Sequence, residues 1–254
     1  VKENQRQLQI SFWSQLLSGH IAGKEEVIAS EIEKRKLEIE REVSYCLIVS
    51  KITGIKEDRE KMSPDLMLFV VENIHSEIFC GNPDNHSVVS MDYDDYYLVA
   101  TVSSVKNREE LSRCCEELRK DFKKMFSSEI TICISRPCKI YEIYQTFHEE
   151  QNLIERNVAY YGSYFHEEDS TGTEEGVRSV FAFDKLEQYF TEKKKMEILS
   201  YLKEMLNDRA FDKTLNNEVL KRGKEEILQV VYTYLGKKGI QATGLLADEN
   251  LIQL

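Results

Sequence analysis

Apolar positions along this chain recur at two spacings, and the changeover between them outlines the fold. In residues 3–18, Leu8, Phe12 and Leu16, flanked by Trp13 and Leu17, repeat at helical intervals, and Gly19 follows as a C-terminal cap. Residues 24–41 carry a thin stripe of Val27, Ile28, Ile32 and Leu37 among Glu and Lys, the pattern of a solvated second helix. Tyr45–Ile52 is the first strand, Gly54 ends it, and the charged stretch GIKEDREKM reads as a loop. Ser63-Pro64-Asp65 then supplies a capping hydroxyl, a first-turn proline and an acid near the positive helix end. The helix it opens has Leu66, Phe69, Val70, Ile74 and Ile78 as its expected apolar face and runs to Cys80, with Gly81 as cap.

The stretch Ser87–Val102 (SVVSMDYDDYYLVATV) puts two short β-branched and aromatic runs around an Asp-rich turn, which predicts a β-hairpin. Asn107 and Glu110 then fit a capping box for a helix burying Leu111, Cys114, Cys115, Leu118, Phe122 and Phe126. Glu129–Ser135 is a strand, Pro137 breaks the chain, and Ile140, Tyr144, Phe147, Ile154 and Val158 mark another helix. The acidic stretch 163–178 reads as a linker or long loop. Ser179–Phe183 is either an edge strand or the lead into a helix over Lys185–Leu206 with Leu186, Phe190, Met196, Leu199, Leu202 and Leu206 inward. A further helix spans 216–235 (Ile227, Val230, Val231, Tyr234), ended by Gly236 and Gly239, and a short helix or tail closes the chain.

The order β-α-β-β-α-β-α predicts an α+β protein with a ferredoxin-like βαββαβ core, four antiparallel strands with two helices on one face, flanked by N- and C-terminal helices. The expected segmentation is 1–41 as connecting helices, 42–162 as the α/β domain, 163–178 as linker and 179–254 as a helical region.

Composition narrows the function. With 254 residues, 31% charged and a net charge of −11, the surface is unsuited to holding nucleic-acid backbones or anionic lipid. The six cysteines show no paired C-x-x-C spacing and fall largely on apolar faces, so reduced, structural thiols in a cytoplasmic protein are expected. No apolar run approaches a membrane span and no signal peptide opens the chain, whose abrupt start at Val1 reads as a cut within something longer.

Candidate chemistry centres on the hairpin turn, where Asp92, Asp94 and Asp95 gather three carboxylates. The turn has no glycine to admit a ligand to the backbone, and Tyr93, Tyr96 and Tyr97 crowd it; Asp is in any case a good turn residue. His75 lacks a second ligand at metal spacing, and His148-Glu149-Glu150 and His166-Glu167-Glu168 read as solvated charge. Phosphate-loop, dinucleotide, zinc-protease and nucleophile-elbow motifs are all missing. The expectation is a protein that is not an enzyme, with no catalytic, metal or cofactor residues.

Several segments resemble the central region of bacterial YesN-type two-component response regulators. ENQRQLQISFWSQLLSGHI is similar to the helix after the CheY-like receiver, and SYCLIVSKI and LFVVENIHSEIF to the first strand and helix of the middle region. SMDYDDYYLVATV resembles its degenerate GGDEF, or nucleotide-cyclase, hairpin, and ILQVVYTYLGKKGIQATGLLAD the helices leading to an AraC-type helix-turn-helix. Membrane-bound sensors with an AraC-type tail carry a related middle region.

The resemblance implies a cytoplasmic, non-catalytic regulatory and dimerisation module of a transcription regulator, with no cofactor. It would relay receiver state to the DNA-binding domain as a homodimer, with Phe12, Trp13, Leu16 and Leu17 as candidate interface. A cognate histidine kinase would act through the receiver and DNA through the helix-turn-helix, both missing from this chain, and the chain itself would not touch membrane. The alternative is a sensor binding a nucleotide or metabolite in the cyclase-like cleft; an active nucleotide-processing enzyme is a third reading.

Overall fold

A computed structural model describes residues 2–80, 87–104, 106–170 and 179–240. The Gly81 cap, residues 171–178 of the acidic stretch and the closing tail lie outside the described residues. The chain divides into two compact units, residues 1–155 with 160–172, and residues 156–159 with 173–254.

The first unit is an α+β structure built on a five-stranded sheet in the order β2-β3-β1-β4-β5. Its strands are β1 (Tyr45–Thr53), β2 (Val88–Asp92), β3 (Tyr96–Ser104), β4 (Glu129–Ile134) and β5 (Tyr164–His166). β1 lies between β3 and β4, antiparallel to both, with Thr53 opposite Tyr96 and Glu129; β2 pairs antiparallel with β3, and β5 adds parallel to β4.

Both faces of this sheet are covered. Leu47 and Val49 of β1, Leu98, Ala100 and Val102 of β3, and Cys133 of β4 face one core, while Cys46, Ile48, Ile52, Val99, Ile130, Ile132 and Ile134 face the other. The period-2 alternation thus sorts one set of apolar residues to each side. The first core is closed by α1 (Lys2–Leu17), α2 (Glu25–Arg35) and α6 (Ile143–Arg156); the second by α4 (Pro64–His75), a π-helical turn (Ser76–Cys80) and α5 (Arg108–Met125).

Local capping chemistry sets these helix starts. The Ser63 hydroxyl accepts from the Leu66 amide and the Asn107 side chain from the Glu110 amide at 2.8 Å. All six residues expected on the inner face of α5 and just beyond it are buried. Gly19 adopts φ 76° after α1, and a Cβ there would also meet the Tyr144 ring at 2.6 Å.

Five expectations need correction. α2 stops at Arg35, where Lys36 turns left-handed; residues 36–41 are not helical, although Leu37 remains buried. The charged stretch after β1 is not a loop throughout, because Lys56–Lys61 form a short helix, α3. The face of α4 is rotated: Met67, Val71 and His75 point inward, followed by Phe79, whereas Leu66 and Phe69 are 50% and 59% exposed. In α6, Ile143 is buried in place of Tyr144, which is exposed, and Val158 lies beyond that helix in a 3-10 turn. The acidic stretch also contributes structure, with β5 followed by the short helix α7 (Glu167–Ser170).

The second unit is helical among its described residues: α8 (Phe183–Thr191), α9 (Lys195–Phe211) and α10 (Asn217–Lys237). The single helix expected over 185–206 is broken at Lys193, whose φ is 55°, and Met196 and Leu199 point to solvent at 69% and 51% exposure. Residues 179–182 form no strand and lead into α8. The core joins Val180, Phe181, Leu186, Tyr201, Val219 and Val230. The Glu226 carboxylate accepts from the Val180 and Phe181 amides, and the Tyr201 hydroxyl from the Ala182 amide at 3.0 Å. Gly223 lies under the Phe181 ring, where a Cβ would come within 2.9 Å of a ring carbon. The helix-weakening glycine is there for close approach.

Candidate functional site

At the C-terminal end of β1, the hairpin turn and α3 form one hydrogen-bonded cluster. Arg59, from α3, reaches across to the turn. Its Nη2 donates to Asp92 Oδ1 at 2.6 Å and to the Tyr93 carbonyl at 3.0 Å, its Nη1 to the Asp94 carbonyl at 3.3 Å, and its Nε to the Tyr97 hydroxyl at 3.0 Å. The guanidinium carbon also lies 4.9 Å from the centre of the Tyr97 ring. Tyr93 and Tyr96 stack with centroids 4.6 Å apart, and Lys51 Nζ sits 4.4 Å over Tyr96.

The three predicted carboxylates therefore have different situations. Asp92 is salt-bridged to Arg59, Asp94 contributes its backbone carbonyl to the same guanidinium, and the Asp95 side chain is exposed. Among the described residues no group of three or more His, Cys, Asp or Glu side chains is arranged to hold a metal ion. The positive charge facing this turn belongs to the chain itself.

The neighbouring residue ties α3 down on its other side. Asp58 Oδ1 accepts from the Ser127 amide at 2.9 Å, and Oδ2 from the Ser128 amide at 2.8 Å and the Ser128 hydroxyl. Burial works to raise the Asp58 carboxyl, but the Ser127 and Ser128 donors outweigh it and hold the group below its ordinary value of 3.8. α3 is thus a bracket joining the α5–β4 connection to the hairpin turn.

Asp58→Ala should cost about 2–3 kcal/mol, the loss of hydrogen bonds to a charged acceptor, with Asp58→Asn intermediate. The native carboxyl titrates below the unfolded one, so its contribution is complete above the unfolded value and fades as pH falls through the folded one. The gap between wild type and Asp58→Ala in urea unfolding should therefore narrow as pH falls below the ordinary carboxyl value of 3.8. Equal urea midpoints at pH 7 would remove the bracket.

The other singled-out residues are mostly internal. His75 is fully buried, with Nδ1 2.8 Å from the Val71 carbonyl and Nε2 3.0 Å from Ser50 Oγ. The carbonyl fixes the proton on Nδ1, so Nε2 accepts from Ser50; burial lowers the ring to about 4, and it stays neutral. All six cysteines are free thiols, five of them buried, and burial is the main force raising their pKa values.

Phe12, Trp13, Leu16 and Leu17 are 0–1% exposed inside the first core, with Trp13 edge-on to Phe12 and Tyr45. Packing within this chain takes up their surface, in place of the contact with another subunit that the stripe suggested.

The two His-Glu-Glu stretches are solvated only in part: His148, Glu149 and Glu168 are exposed, as expected, and the other three are not. His166 is 8% exposed with Nε2 3.1 Å from Ser112 Oγ, and Glu167 accepts from the Arg136 amide at 2.9 Å. Glu150 is 0% exposed, and no N–H or O–H group donates to either of its carboxyl oxygens. It occupies the α6 stripe, three residues after Phe147 and four before Ile154, so its spacing was the signal for its burial.

At the other end of the sheet a cavity of about 180 Å³ is lined by Lys106, Arg108, Arg136 and His166, with Cys46 and Ile134 among its apolar walls. Its cations are balanced locally: Lys106 pairs with Glu110 at 3.5 Å, Arg108 with Asp169 at 2.6 Å and Arg136 with Glu167 at 3.4 Å. No helix among the described residues is long and apolar enough to cross a membrane. Comparison of the chain with protein-family models, with curated proteins and with solved structures found no match in any of the three.

Proposed function

We propose that this chain is a non-catalytic regulatory module that acts through protein contacts, of the kind that joins a receiver to an AraC-type DNA-binding domain in YesN-type response regulators. The observation that carries this reading is Arg59 seated in the hairpin turn. A nucleotide cyclase of the GGDEF type needs that turn open, with glycine backbone beside the substrate and carboxylates free for a divalent ion. Here an internal guanidinium takes up Asp92 and two turn carbonyls, and three tyrosines surround it. The alternative, a sensor using that cleft, would require a ligand phosphate to compete with all of these for the Arg59 guanidinium.

The strand order β2-β3-β1-β4, antiparallel throughout, with α4 and α5 on one face, supports a ferredoxin-like core as the basis of the resemblance. α1 supports a relay role in a different way from the one its apolar stripe suggested. Because its large side chains are inserted between the sheet and α2, a displacement of α1 would be transmitted to β1 and β3 through packed contacts. In this reading the protein works as a cytoplasmic homodimer, with kinase and DNA engaged by receiver and helix-turn-helix domains outside these 254 residues.

A thermal-shift screen with guanine and adenine nucleotides and cyclic dinucleotides, with and without magnesium, tests the reading. A ligand at one hundred times its Kd adds about 2.7 kcal/mol, a shift of roughly 5–10 °C for a chain this size. We expect no shift with any of them, and a mass in solution of twice the monomer. A magnesium-dependent shift of that size, lost in Asp92→Ala, would overturn the proposal.

A further inference from the structure

Glu150 has no role in the hairpin cluster, and its surroundings call for an account. It lies on α6 where the helix packs on the sheet, fully buried, with no N–H or O–H donor to either carboxyl oxygen and only the Cys133 thiol beside them, a weak donor. The titratable and charged groups around it are Cys133 of β4, Cys46 of β1, Arg136 and Cys138 after β4, Glu167 of α7 and Glu149 of its own helix. Arg136 is the one cation of this set, and its guanidinium already sits 3.4 Å from Glu167. As an anion, Glu150 would be a buried charge with a shared counter-ion and two carboxylates beside it. As a neutral acid it is an ordinary, if unsatisfied, polar group in an apolar seam.

We propose that α6 stays seated on the sheet only while Glu150 is a neutral acid and is released from β4 when that carboxyl ionises. Neighbouring contacts favour local release over collapse of the whole unit. α6 is seated mainly by Ile143, Phe147 and Ile154, while α4 and α5 are held by a separate core across the sheet. The helix also ends at Arg156, one of the points at which the chain passes between the two compact units. This release rests on the α6 seam and is independent of the function proposed above.

Amide hydrogen exchange of the full chain at pH 6 and pH 8, normalised to intrinsic rates, tests this directly. Burial, with Glu167 and Glu149 adding to it, pushes the Glu150 carboxyl up to about 8 from an ordinary 4.5. If opening restores the ordinary value, the opening equilibrium of α6 should rise about 50-fold between the two pH values. β1 and β3 should keep their protection, and α6 of Glu150→Gln should show no rise. Should Glu150→Gln not fold, Glu150→Leu, apolar and of similar size, gives the same comparison. An α6 that does not respond in wild type, an equal response in the variant, or equal loss of protection in every strand would each overturn the proposal.

Discussion

Glu150→Gln should make the first unit more stable at pH 8 than wild type, by about 4 kcal/mol, while the two proteins differ by less than about 1 kcal/mol at pH 5. The sign follows from proton linkage. The native carboxyl, held up to about 8 chiefly by burial, binds a proton more tightly than the unfolded one near 4.5. Between those values the native state carries more protons, so wild-type stability falls as pH rises and levels off above about 8. Glutamine keeps the shape and a neutral head but does not titrate, so its profile lacks this slope. Urea unfolding at half-unit pH intervals measures both curves. Parallel curves would mean that Glu150 is solvated in solution. Most single substitutions destabilise, so a gain of this size at a fully buried position would be diagnostic.

Phe12→Ala and Trp13→Ala should each cost about 3–5 kcal/mol, a large share of the 5–15 kcal/mol that typically holds a domain together. Both rings are completely enclosed between α2, the sheet and each other, so truncation leaves a cavity that the surrounding strands cannot collapse. Trp13→Phe separates packing from polarity. The Trp13 Nε1 is buried without an acceptor, so a ring lacking that N–H removes an unsatisfied donor along with some contact. Its cost should stay near 1 kcal/mol. A contact between subunits would give the opposite pattern: alanine variants with unchanged monomer stability but weakened self-association. Urea unfolding together with light scattering distinguishes the two.

Many element positions were legible because they rest on local rules. Ser63 and Asn107 mark their helices by the same hydroxyl and amide bonds that the structure contains. The inner face of α5 is written in a strongly amphipathic sequence, and the hairpin in its β-branched runs around Asp92, Asp94 and Asp95. Where a segment was apolar all round, periodicity had no purchase. Leu66-Met67-Leu68-Phe69-Val70-Val71 offers no polar face, and packing against Ser50 and β3, through His75 and Phe79, selected Met67 and Val71 over Leu66 and Phe69.

Long-range contacts decided the rest. α3 is too short to persist on helix propensity alone and is held by Asp58 and Arg59, whose partners lie far along the chain. β5 has three residues and pairs only with β4 among the described strands. The break at Lys193 has no proline or glycine to announce it, yet it lets α9 turn back so that Tyr201 joins Leu186 in one core.

By itself, then, the sequence determined which residues alternate across the strands, where the helices are capped, and that the hairpin turn is acidic and lacks glycine. Only the tertiary structure decided that Arg59 pairs with Asp92 and binds that turn, that Phe12 and Trp13 face inward to the sheet, and that Glu150 is sealed from water. The difference is physical. Capping and pleat act between residues a few positions apart, whereas burial and charge pairing depend on surfaces that meet only after the chain has folded.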